Sequence, residues 1–152
     1  MYIFELAKNR SDIKRELMSK TPMIIEHLEK LILSPNNSAR NHWISEIHAF
    51  IHTIDISKST KKFPSASFIF ENTFGCLEDK YRILSYVSTE IRDICEIENI
   101  KIPKDMKKYQ KEILSVCFTY FSWLAESLSK DGRIVRSDVK MLIDKMIPEV
   151  LT

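Results

Sequence analysis

Glycine is almost missing from this sequence: only Gly75 and Gly132 occur among its 152 residues, alongside five prolines. Tight turns rely on Gly, Asn and Asp to reach positive φ, so two glycines cannot serve the many hairpins of a β-rich fold. Long helices joined by a few loops need far less punctuation, and the scarcity itself points to helix. Cysteine is scarce too. Cys76, Cys95 and Cys117 are odd in number, widely spaced and without a CxxC pair, which argues against a secreted disulfide framework and for buried free thiols. No run approaches the ~18 apolar residues of a membrane span. The opening MYIFELAKNRSDIKRE has too short an apolar stretch for a secretory signal. These absences predict a cytoplasmic protein with no membrane partner. A strong charge of one sign is also lacking: the net charge of +2 does not imply a polyanionic partner.

What is present is ordinary for a globular chain, with 44% hydrophobic and 29% charged residues. The length fits one domain, 1–152, able to bury a core without disulfide or metal staples. The richness in Ile, Lys, Ser and Asn suits AT-rich codons, and so a low-GC bacterial gene.

Helical periodicity runs through most of the chain. Ile3, Leu6, Ile13 and Leu17 form a loose stripe over 2–19, and Thr21-Pro22 reads as a cap and first turn for a helix carrying Ile24, Ile25, Leu28, Leu31 and Ile32. Ser34-Pro35-Asn36-Asn37 ends it. A third helix opens at Ser38 or Asn41 and runs to about Asp55. Residues 57–63 read as an exposed loop. Pro64-Ser65 starts a short helix that Gly75 stops as a C-terminal cap, and 77–98 forms another long helix. The strongest signal spans 106–129, where Ile113, Val116, Cys117, Tyr120 and Leu124 keep helical spacing and Leu114, Phe118 and Phe121 add a second apolar face. A helix apolar on most sides is surrounded by others, which makes this the expected central element. Lys130-Asp131-Gly132 is a turn, and Ser137-Asp138 caps a last helix ending near Pro148.

Five features could carry chemistry. His48 and His52 lie four apart on one helix face, and His27 sits on the preceding helix, so the hairpin could assemble a three-histidine metal site. The sequence HAFIH, however, has Ala49 where a zincin has its glutamate. Arg40-Asn41 with His48 resembles the arginine-asparagine and histidine arrangement of the HEPN group of helical ribonucleases, whose arginine and histidine would handle a phosphodiester. The spacing is one residue longer than that group's usual range, and a solvated helix start is the preferred reading. Residues 127–138 match the second half of an EF-hand calcium loop, and Asp131-Gly132-Arg133-Ile134 resembles the turn of tellurite-resistance-like domains. Ser127 and Ser129 stand where calcium ligands belong, so the turn reads as structural: Gly makes it, Ile134 plugs the core. Lys58, Lys61 and Lys62, and Lys101, Lys104, Lys107, Lys108 and Lys111, form basic patches near Phe63 and Tyr109. With little arginine and acids close by, they read as solvated faces. Lastly, Phe63, Phe68, Phe70 and Phe74 crowd one short segment whose spacing cannot turn all four inward, and Trp43 falls on an exposed first turn. Aromatics that a core cannot absorb are common interface anchors.

The sequence therefore predicts an all-α, single-domain compact bundle of six or seven helices around a central hydrophobic helix near 106–129. Glycine-built catalytic loops are lacking, so the leading functional expectation is a non-enzymatic bacterial protein, without cofactor, that binds another protein as an immunity or inhibitor protein, an adaptor or a self-associating subunit. Trp43, Phe63, Phe68 and Phe70 would form its contact surface. The alternative is a metal-dependent helical-bundle enzyme using His27, His48 and His52. Nucleic-acid binding through the lysine loops is weaker still.

Overall fold

The computed structural model describes residues 10–54, 63–87 and 89–150. Six helices occupy most of them: α1 (Arg10–Leu33), α2 (Arg40–His52), α3 (Ala66–Val87), α4 (Thr89–Ile97), α5 (Met106–Asp131) and α6 (Arg136–Met146). No strand occurs among the described residues. The expected positions Ile3, Leu6, Asp55, Lys58, Lys61 and Lys62 lie outside them. No described helix is long and apolar enough to cross a membrane.

The first two expected helices are one. Pro22 sits inside α1 rather than at a start. A proline there lacks the N–H that would bond Met18's carbonyl, a loss of about 3 kcal/mol in an ordinary helix interior. Thr21 does not cap: its Oγ1 donates to the carbonyl of Leu17 at 2.6 Å, within the running helix. Ile13 and Leu17 before the proline and Ile24, Ile25 and Leu28 after it all enter the same core, and that burial holds the helix together across the break. At roughly 1.5–3 kcal/mol for each fully buried aliphatic side chain, the packing outweighs the proline.

The chain also runs straight through Gly75, which lies inside α3 and caps nothing. Gly132 does cap, with φ 76° and its N–H bonded to the Leu128 carbonyl, while Asp105 opens α5 by accepting from the Lys108 N–H. Asn99, at φ 55°, closes α4: the Ile100 N–H reaches the Cys95 carbonyl and the Asn99 N–H that of Glu96, the paired bonds of a Schellman motif. The last helix starts at Arg136 from Val135, with no side-chain cap, so Ser137 and Asp138 lie within its first turn rather than before it.

α1 packs against α2, α3, α4 and α5. Its second half is enclosed so fully that Thr21, His27 and Glu29 are buried along with the aliphatics. α5 is the other large core contributor, through Ile113, Cys117, Tyr120, Phe121, Leu124 and Leu128, and pairs most extensively with α3. Yet α5 is not apolar-in on every side: Leu114 and Phe118 are exposed. The enclosed element is the end of α1.

The C-terminus is tied to the α1–α2 corner. Buried Arg40 donates to the carbonyls of Pro35 and Ile147 and pairs with Asp144, and Asn36 exchanges two hydrogen bonds with the backbone of Val150. Arg40 is therefore a structural tie, correcting its reading as a solvated helix start. Arg40 and Lys140 also hold the Asp144 carboxyl below its usual range, more than offsetting the opposite effect of its partial burial.

A methyl group added at Gly75 would meet nothing within 4 Å. Gly75→Ala should therefore stabilise the fold by about 0.5–1 kcal/mol, read as a thermal midpoint raised by about 2 °C. A lowered midpoint would show that the helix does not continue through this position.

Candidate functional site

Three places gather side chains that could act on something else. The first is the seam between α3 and α5. Phe70 and Phe74 lie one turn apart on α3 and stack at 5.1 Å between ring centroids. Phe118 of α5 meets both edge-on, at 5.4 and 5.7 Å. This is the offset and edge-to-face geometry that aromatic quadrupoles favour. Phe118 nevertheless keeps 48% of its surface in solvent and Leu114, one turn earlier, keeps 39%. Hollows of about 360 and 310 Å³ flank the Phe118 ridge, one lined by Phe74, Leu114 and Thr119, the other by Phe70, Ser67 and Ala125.

This geometry corrects part of the expected contact surface. Trp43 is only 3% exposed and belongs to the core. It is the fourth residue after Ala39, one turn into α2 on the face toward α1, where Lys30 Nζ stands 6.0 Å from its ring centroid. Phe63, Phe68, Phe70 and Phe74 are all half-buried against the core rather than forced outward. The residues missed were Leu114 and Phe118. Their signal was present: Ser115, Thr119 and Ser122 mark the same side of α5 as polar, so an apolar pair there faces water.

The second place is ionic. Glu29 of α1 is fully buried, and Lys80 Nζ of α3 stands 2.5 Å from its Oε1 while also pairing with Glu90 of α4. No backbone donor among the described residues supplements the Lys80 contact. Burial, the larger cause, and the neighbouring Glu90 raise the Glu29 carboxyl from about 4.5 to about 8, against the pull of Lys80. One ammonium between two carboxylates leaves a surplus negative charge, and a proton on the more buried carboxyl removes it. Burial works to discharge Lys80, but the two carboxylates prevail and hold it charged. Beside this group opens a cleft of about 310 Å³ lined by Pro22, Met23, Ile25, Cys76, Lys80 and Glu90. The Cys76 thiol there is pushed up by desolvation and by Asp79, so it is no activated nucleophile. Cys95 and Cys117 are buried, and all three thiols are free.

The third place holds the histidines, which do not converge. His27 Nδ1 bonds the Met23 carbonyl at 2.8 Å and Nε2 meets Glu46 at 3.0 Å, so both of its nitrogens are taken. His48 Nε2 donates to the carbonyl of Ile134 instead, and His52 lies beside it at 5.5 Å between ring centroids. Among the described residues no group of three or more His, Cys, Asp or Glu could hold a metal ion, which removes the geometric basis for the three-histidine site. The HEPN-like pair is separated in role as well: Arg40 is bonded to the C-terminal segment, His48 to the α5–α6 turn. In that turn Ile134 is buried, as its reading as a core plug requires. Lys107, Lys108 and Lys111 share a shallow hollow with Asp105.

The fold and these surfaces define an all-α protein with six helices among its described residues and a part-exposed aromatic ridge along the α3–α5 seam. No family model, no curated protein and no solved structure matches the chain.

The raised Glu29 carboxyl has a consequence for stability. Between its unfolded value near 4.5 and its folded value of about 8, the folded chain keeps a proton that the unfolded chain has released. Stability should therefore fall as pH rises through that window. Glu29→Gln, which has no proton to lose, should show a flatter profile and overtake the parent above about pH 8. Parallel profiles in denaturant unfolding at pH 5.5, 7 and 8.5 would refute this assignment.

Proposed function

We propose that this protein acts by binding another protein, and that its contact surface is the α3–α5 seam centred on Phe118. One observation carries the reading: a phenylalanine and a leucine one turn apart stand exposed on α5, with an apolar hollow on each side. Leaving such groups in water forgoes about 25 cal/mol for each Å² of apolar surface. A partner that covers them recovers that free energy, and aromatic residues at the centre of a patch are the usual anchors of interfaces. Phe70 and Phe74 are half-buried beneath the ridge and hold it rigid, so little side-chain entropy is lost on binding. A helix laid along the seam, with apolar residues three and four apart, has the shape that two hollows beside one ridge accept. An immunity or inhibitor protein, an adaptor or a self-associating subunit would all use such a face.

Leu114→Ser with Phe118→Asp should abolish association while leaving the helical spectrum close to the parent's, with a modest fall in thermal midpoint because Phe118 also gives up its edge-on contacts with Phe70 and Phe74. The expected loss is at least about 2 kcal/mol, or roughly thirtyfold in affinity. Sedimentation of the purified chain tests self-association, and a photo-crosslinker at position 118 identifies a different partner. Association that survives the double variant unchanged rejects this surface. Trp43 is unsuited to the test because its truncation opens the core, at a cost of about 3–5 kcal/mol.

A further inference from the structure

The histidine pair has a setting that metal chemistry does not explain. His48 and His52 of α2 line a hollow of about 240 Å³ together with Arg133, Arg136, Ile51, Ile134 and Val135. Four of these seven side chains are basic and none is acidic. We propose that this hollow is a binding site for the phosphate group of a small phosphorylated molecule.

The local architecture builds the site from three directions. Gly132 turns the chain at the end of α5 in a left-handed conformation. Ile134, 5% exposed, anchors the next residues in the core. Arg133 and Val135 on either side of it are thereby left outward, and Arg133 is exposed. Arg136 Nε donates to Ser45 Oγ of α2 at 2.9 Å, which fixes that guanidinium over the hollow and leaves its terminal nitrogens for another acceptor. His48 Nε2 is spent on the Ile134 carbonyl, so the remaining nitrogen, Nδ1, donates to an anion only when the ring takes up a second proton with it. α6, eleven residues long, begins here from Val135 without a side-chain cap. Its first backbone N–H groups add donors and the positive end of a helix dipole. Asp138 lies in that first turn but does not line the hollow.

Two guanidinium groups and a helix start converging without a carboxylate repel one another until an anion enters. Guanidinium groups bind phosphate in a bidentate fork, which a carboxylate answers with two oxygens and a phosphate with three. The volume sets the size. It falls below the roughly 300–1,000 Å³ of sites that enclose drug-sized ligands, so the hollow holds a phosphate group and leaves whatever carries it outside. The site lies on α2, the α5–α6 turn and α6, and shares no lining residue with the α3–α5 seam. It stands or falls independently of the protein-binding reading.

Nuclear magnetic resonance on the full chain tests it, with inorganic phosphate and glycerol phosphate titrated separately at ionic strength held constant with chloride. Saturable shifts are expected at the His48 and His52 rings and at the Arg136 and Ser137 amides. Tighter binding of the ester would assign the ligand as a phosphorylated molecule, and equal binding would overturn that part in favour of free phosphate. Arg133→Gln removes an exposed side chain and should fold normally, yet weaken binding by about tenfold or more, the effect of losing a charge-assisted hydrogen-bond pair. Lys107→Gln with Lys108→Gln, at the lysine hollow on α5, should leave the affinity unchanged. An absence of saturable shifts with either probe, or full affinity in Arg133→Gln, overturns the proposal.

Discussion

The enclosure of α1 between four other helices governs the rest of the molecule. From Ile24 to Leu33 nearly every side chain is buried, and that stretch includes a carboxylate, Glu29, with no exposure at all. A carboxyl buried there needs a polar partner whether it is ionised or, as its raised value favours at neutral pH, protonated, and the fold brings a cation to it. Lys80 is that cation, and because it pairs also with Glu90 it fastens α3 and α4 to α1 at one point. A leucine in place of Glu29 would satisfy the core without demanding any particular neighbour. The buried carboxyl restricts the packing to arrangements in which Lys80 arrives.

The same device recurs at the edges of the bundle. Lys30 reaches Glu98 after α4 at 3.1 Å while lying near the Trp43 ring, joining α1, α2 and the α4 end. Arg40 takes the carbonyls left at the end of α6 and the loop before α2. A planar guanidinium with five donors suits a site where several backbone acceptors converge, a task that an ammonium would do less well. Charged side chains here connect helices whose aliphatic faces alone would allow sliding.

With its interior settled in this way, the molecule shows two unlike surfaces. The α3–α5 seam is aromatic and apolar, the α2–α6 hollow cationic. Both arise where an element meets the core with one face and has none left to cover the other. On α5 the inward stripe of Ile113, Cys117, Tyr120 and Leu124 leaves Leu114 and Phe118 outside, and at the α5–α6 turn the anchored Ile134 throws Arg133 and Val135 outward. Tyr120 illustrates how tight the interior is, since its hydroxyl is buried without a partner among the described residues and is pushed well above its usual range by desolvation.

Sequence alone determined that this is an all-α protein, that its strongest helix lies near 106–129, and that Gly132 and Ile134 make a turn and a plug. These properties depend on periodicity and on the conformational freedom of single residues, both of which are local. Tertiary structure decided what local rules had wrong or left blank. Thr21-Pro22 and Gly75 carry sound start and stop signals, yet packing on both sides of each kept the helices whole. Trp43 looked like a surface residue because its helix start looked exposed, but its ring turns toward α1 and is buried beside Lys30. Glu29 lies as one acid in a greasy run, and nothing near it in the chain foretold Lys80 or Glu90, which lie some fifty and sixty residues away. Contacts between distant segments depend on the whole set of burial and charge requirements being met at once, and no window of sequence contains them all.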